Sequence, residues 1–129
     1  MKNQLTKSSF YPEDTQNASL HGSEEMTELE KLKHQLETTG LPLAYRAFPE
    51  EEAPPLPFLC YLVTGSDNLV ADGGVYYNAN VVHVELYTKE KDPITEDKVE
   101  QALSSYSWDK TEEYIDSEKC YQIIYEIEV

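Results

Sequence analysis

Apolar and polar positions repeat in two rhythms along this chain, and the switches between them mark its elements. From Glu24 to Thr39, Met26, Leu29, Leu32 and Leu36 fall on one helical stripe, with Glu25, Glu28, Lys31 and Glu37 elsewhere on the wheel. Gly40 supplies a stop just past that helix, and Pro42 prevents its continuation. Leu43 to Phe48 then reads as a short strand ending at EEEAPPLP. The prolines of that run lack donors and its glutamates repel one another, so it makes a rim or connecting loop. Phe58 to Thr64 is apolar on both faces: Phe58, Cys60 and Leu62 oppose Leu59, Tyr61 and Val63, which predicts a central strand, or one with one face against a core and the other against a neighbour. Gly65 to Asn80 holds GSDN, ADGG and NAN around Val75, Tyr76 and Tyr77, and reads as a turn-rich excursion or a projecting hairpin.

A cleaner period of two follows in Val81 to Thr88, where Val82, Val84 and Leu86 point to the core and His83, Glu85 and Tyr87 point away. Asp92 and Pro93 suit a helix start, with Thr95 a competing cap, and Val99, Ala102, Leu103 and Tyr106 follow at helical spacing. Beyond Trp108, Glu113 to Ile115 is expected to pair briefly. Tyr121, Ile123, Tyr125, Ile127 and Val129 then share one face of a closing strand. The order is helix, three strands, helix, and a final strand or strand pair. It predicts an α+β fold, a small, mostly antiparallel sheet of about four strands with two helices packed on it.

Composition divides the chain and narrows its chemistry. Residues 1–25 are rich in Ser, Asn, Gln, Lys and Glu, with isolated apolar positions at Leu5, Phe10, Tyr11 and Leu20, and read as a flexible N-terminal arm. Residues 26–129 form one domain, small enough that partners are expected to bury part of its apolar surface. The 25 acidic against 10 basic residues give a net charge of −15, with Arg46 the one arginine. Such a balance repels phosphate backbones and disfavours a protein that grips nucleic acid, though DNA sliding past is compatible with it. The longest apolar stretch, around Leu59 to Val63, falls far short of the roughly 20 residues of a membrane-spanning helix, so a soluble, cytoplasmically made protein is expected.

Candidate chemistry is sparse. Cys60 and Cys120 sit singly inside apolar strands, with no CxxC spacing, and read as buried, reduced thiols. His21, His34 and His83 show no HxxxH or HExxH spacing, so no metal site is expected. Asp67 and Asp72 share a loop and form the one carboxylate pair suited to acid/base or cation work. Asx-turn chemistry accounts for SDN and ADGG without any ligand. There is no GxSxG elbow and no phosphate-cradling glycine loop, so neither a catalytic residue nor a cofactor is assigned. Tyrosine is the unusual residue, with ten copies, nine of them after Gly40. Strand preference accounts for part of this, and a tyrosine-rich sheet with an uncovered face suits a protein interface. Tyr76, Tyr77, His83, Glu85 and Tyr87 are the set assigned to partner contact.

The spaced elements GLPLAY, PPxPF, SDNxxAD, VELYTKxKDP and YIxSExxYQxxYE resemble the small tail-completion proteins, tail terminators or neck proteins, of long-tailed bacteriophages and prophages. The resemblance spans about 90 residues, one small domain. It implies a non-enzymatic protein of the head-to-tail joint that forms a ring, commonly a hexamer. Such a ring caps the tube of the major tail protein and docks it to the neck, or serves as a head-completion protein. It also implies a virion component assembled in the bacterial cytoplasm. Members of that family begin close to their first helix, so Met26 lies where such a chain would start, and residues 1–25 are either an arm or an upstream start. In a ring, Glu50, Glu51 and Glu52 would repeat around a lumen or rim and keep passing DNA from sticking; outside one they are a solvated loop. The charge suits a second class as well, an acidic module that mimics DNA and occupies a nucleic-acid enzyme, and a small hydrolase using Asp67 and Asp72 is a third.

Overall fold

A computed structural model describes residues 25–70 and 76–129. Its first helix, α1 (Glu28–Glu37), starts later than the apolar stripe suggests, because Thr27 caps it. The Thr27 hydroxyl accepts from the Glu30 amide at 3.1 Å while the Glu30 carboxylate accepts from the Thr27 amide at 2.8 Å, closing a reciprocal capping box. Leu32 and Leu36 are fully buried, whereas Met26, outside the helix, is 45% exposed. Gly40 ends the turn at φ +77°, a conformation that favours glycine, as its place in the sequence predicted.

The sheet has five strands, one more than expected, in the order β1-β2-β3-β5-β4: β1 (Leu43–Tyr45), β2 (Phe58–Val70), β3 (Tyr76–Thr88), β4 (Asp109–Ile115) and β5 (Cys120–Glu128). The fold class is α+β, with β1 parallel to β2 and every other pair antiparallel. β1 is half its expected length because Arg46 adopts φ 73° and turns the chain out of the strand. β4 is longer than the expected Glu113–Ile115, running as an exposed, charged edge whose alternation carries no apolar signal. The second helix, α2 (Pro93–Ala102), is capped by Asp92; Thr95 does not compete but donates its amide and hydroxyl to the Asp92 carboxylate at 3.1 and 2.7 Å.

Both helices lie on one face of this sheet. Leu32, Leu36, Val99 and Leu103 meet rows of strand side chains, Leu59, Leu86 and Ile123 in one and Tyr61, Val84 and Tyr125 in the next. The face assignments read from alternation hold: Val82, Val84 and Leu86 are each 0% exposed, and His83, Glu85 and Tyr87 lie half-buried on the opposite face.

β2 and β3 extend beyond the sheet that surrounds their lower halves. β3 stops pairing with β5 at Val81, apart from the reciprocal Asn80–Val129 backbone bonds at 2.9 Å, yet it stays in register with β2 out to Val70 and Tyr76. A bulge between Val63 and Gly65 marks where the sheet gives way to this two-stranded ribbon. The turn-rich excursion is therefore a projecting hairpin, whose tip and whose side chains at 69–78 lie outside the described residues, as does the expected arm but for Glu25.

Candidate functional site

The face of the sheet turned away from the helices gathers most of the sequence-assigned contact residues. Strand pairing aligns them in rows: Phe58, Tyr87, Gln122 and Glu113; Cys60, Glu85, Ile124 and Thr111; Leu62, His83, Glu126 and Asp109. Within the first two rows the Tyr87 hydroxyl donates to Glu85 Oε1 at 2.8 Å and accepts from the Gln122 amide at 2.9 Å. Burial, and then the bond to the neighbouring carboxylate, push the Tyr87 phenol well above its usual range, so it stays a neutral donor. His83 Nε2 lies 3.2 Å from Glu126 Oε1.

One end of the face is roofed. The connection after β1 brings Phe48 edge-on to Phe58 at 5.1 Å, and Phe58 packs on Tyr87 at 5.3 Å. Cys60 beneath is only 3% exposed. Burial and the Glu85 charge push its thiol up to about 12, against a smaller opposing effect of the Phe48 backbone hydrogen bond, which makes it inert at neutral pH. Cys120 is likewise free and buried, as its apolar setting predicted, and burial, then the Glu118 charge, raise its thiol. The same connection carries Glu50, Glu51 and Glu52 as one exposed 3₁₀ turn.

At the foot of the ribbon a groove of about 480 Å³ is lined by Ala79, Ser105, Tyr106, Ser107 and Asp109 together with Glu126–Val129. Asp67 approaches Glu128 here; Asp72, the partner its sequence suggested, lies outside the described residues. Their hydrogen bond, with burial and charge repulsion adding to it, raises the Glu128 carboxyl above its ordinary value. Among the described residues no three His, Cys, Asp or Glu side chains converge to hold a metal ion.

Sequence reasoning missed an ionic cluster on the helix-covered side. Glu96, 3% exposed, lies with its two oxygens 2.8 Å from Lys110 and 2.8 Å from Lys91. Burial pushes its carboxyl up, but the two ammonium groups outweigh that and hold it below the usual carboxylate range. Lys110 also reaches Glu100 at 2.7 Å, and the Glu100 carboxylate accepts from the buried Tyr125 hydroxyl at 2.8 Å. The legible signal was Glu96 three residues before Val99, an inward helix position given to a charged residue.

Tyr76 and Tyr77 do not join the face residues; the backbone places them far along the ribbon, paired with Val70 and Leu69. The assigned contact set thus divides in two, three residues on the sheet face and two on the projection. No helix among the described residues is long and apolar enough to cross a membrane. Compared with models of known protein families and with curated proteins, the chain matches none.

Proposed function

We propose that this protein is a non-enzymatic structural component of a bacteriophage or prophage head-to-tail joint: a ring-forming tail terminator that caps the tail tube and docks it to the neck. The observation that carries this reading is the ribbon. Among the described residues, Asp67–Val70 and Tyr76–Ala79 pair only with each other, while the rest of β2 and β3 sits in a five-stranded sheet. A two-stranded ribbon is marginal in water alone, and its outer edges offer unpaired backbone groups to a neighbouring chain. A ring of copies gives every ribbon the same neighbour, which is how closed symmetry satisfies a projecting edge. Tyr76 and Tyr77 lie on it, where aromatic anchors serve a contact best.

Supporting features are the half-buried aromatic face and the exposed Glu50–Glu52 turn, which in a ring repeats as an acidic rim over which DNA passes without sticking. The partners are further copies, to six in all by the resemblance, the major tail tube protein and a neck protein; the place is the virion, after assembly in the host cytoplasm. A head-completion role would set the same ring on the capsid side of the joint. Deleting the coding sequence from the phage or lysogen should leave filled heads beside unjoined or overlong tails in electron micrographs. Infectious particles of normal morphology would overturn the reading.

A further inference from the structure

We propose that the helix-free face of the sheet docks a basic protein surface, and that copies of this chain do not meet through it. This deepens the tail-joint reading and rests on it for the partner's position, the neighbouring protein of the neck or tube. The charge argument stands on the fold alone. Strand register puts Asp67, Glu85, Asp109, Glu113, Glu126 and Glu128 on this face and puts no Lys or Arg at any of its strand positions. The lysines of the described domain sit elsewhere, on α1, on α2, in the β3–α2 loop, on the helix side of β4 and in the β4–β5 turn. There they are largely engaged with carboxylates, as in the pairs Lys31–Glu28, Lys33–Glu37 and Lys110–Glu96.

On the open face, hydrogen bonds to carboxylates come from Tyr87 and His83, not from an ammonium group. Among the described residues, therefore, no ammonium group pairs with these carboxylates. Phe58, Leu62 and Ile124 lie half-buried among these carboxylates and give the face an apolar centre inside an acidic field. That arrangement matches the interface anatomy of a buried apolar middle with a charged surround. A nucleic acid or an anionic membrane is repelled by it. A second copy complements it poorly, since the chain carries 25 acidic against 10 basic residues and Lys31, Lys33, Lys91 and Lys110 already pair with its own carboxylates. A protein surface of alternating basic and apolar side chains complements both parts.

The test uses the full chain and a fluorescent octapeptide of alternating Lys and Leu, with a Glu and Leu octapeptide as control. Anisotropy should show salt-sensitive binding of the basic peptide only. The triple change Glu85→Gln, Glu113→Gln and Glu126→Gln should weaken it roughly tenfold or more. Glu28→Gln, Glu37→Gln and Asp97→Asn, the same charge change on the helices, should leave affinity within about twofold of the parent. Zero-length carboxyl-to-amine cross-links should fall on Glu85, Glu113 and Glu126. Cross-links concentrated on the helices, or equal weakening by both triple changes, would overturn the proposal. Loss of self-association in the strand triple variant would also overturn it, by making the face a contact between copies. A chain that never forms a ring yet binds the peptide on this face would sink the tail-joint reading and leave the docking surface standing.

Discussion

Replacing Leu86 by Ala should lower the unfolding free energy by about 2 to 5 kcal/mol, the cost of lost burial plus the cavity left behind. Leu86 is fully buried near the C-terminal end of β3, the middle strand of the sheet, flanked by Leu59 on β2 and Ile123 on β5, and all three have 0% exposure. Two strands and their helices fix its surroundings, so the site collapses poorly around a missing side chain. His83→Ala, three residues earlier on the same strand but on the open face, should cost only about 0.5 kcal/mol, since a partly exposed pair with Glu126 contributes little. Urea unfolding of both variants checks the contrast. Equal losses would mean that the two faces of β3 are buried alike.

The second large effect is expected at Lys110→Met, which keeps the aliphatic stem and removes the charge. The variant leaves Glu96 with Lys91 alone and takes the ammonium from Glu100, inside a cluster where Glu96 is nearly sealed from water. Breaking a well-buried pair costs about 3 to 5 kcal/mol; with the Lys110 side chain 32% exposed and Lys91 still in place, about 2 kcal/mol is expected. Its pH dependence has a definite sign. The folded-state carboxyl of Glu96 is held below its unfolded value, so its contribution is present at neutral pH and is lost as pH falls through the folded value. The gap between parent and variant should therefore close in acid, where Glu96 is protonated in both. A gap of constant size from neutral pH into acid would assign the loss to packing of the Lys110 stem near the Tyr125 ring, 5.8 Å from its ammonium, and not to charge.

Alternation made the sheet's faces legible because Val82, Val84 and Leu86 differ sharply from His83, Glu85 and Tyr87 in their cost of burial. The same rule failed for β4, whose DKTEEYI run has polar residues on both faces. Lys110 and Glu112 face the helix side yet are paired with Glu96, Glu100 and Lys91, so an ionic cluster took the place of an apolar stripe. β1 is shorter than its apolar run predicts because the left-handed turn at Arg46 has no local signal, arising from a non-glycine residue whose backbone N–H donates to the Tyr61 carbonyl at 2.8 Å. Helix ends were legible only in part. Gly40 and Asp92 act as read, but the Thr27–Glu30 capping box was hidden by the acidic residues before it.

The candidate site shows the same division. His83, Glu85 and Tyr87 were legible as an outward set on one strand, whereas Gln122 and Glu126 are joined to them only through β3–β5 register, which pairs residues 35 to 43 positions apart. Cys60 lies under Phe48 for the same reason: a connection folding back over a sheet leaves no periodic trace.

The most direct test of the central claim is the mass of the purified full-length chain by native mass spectrometry, with sedimentation velocity at micromolar concentration. The account predicts a closed ring, with one dominant species at six copies of the 14.8 kDa chain that falls to monomer when Tyr76→Ser and Tyr77→Ser are combined and the urea midpoint is unchanged. A chain that stays monomeric or dimeric up to high micromolar concentration, alone and with its tail tube protein, would contradict it.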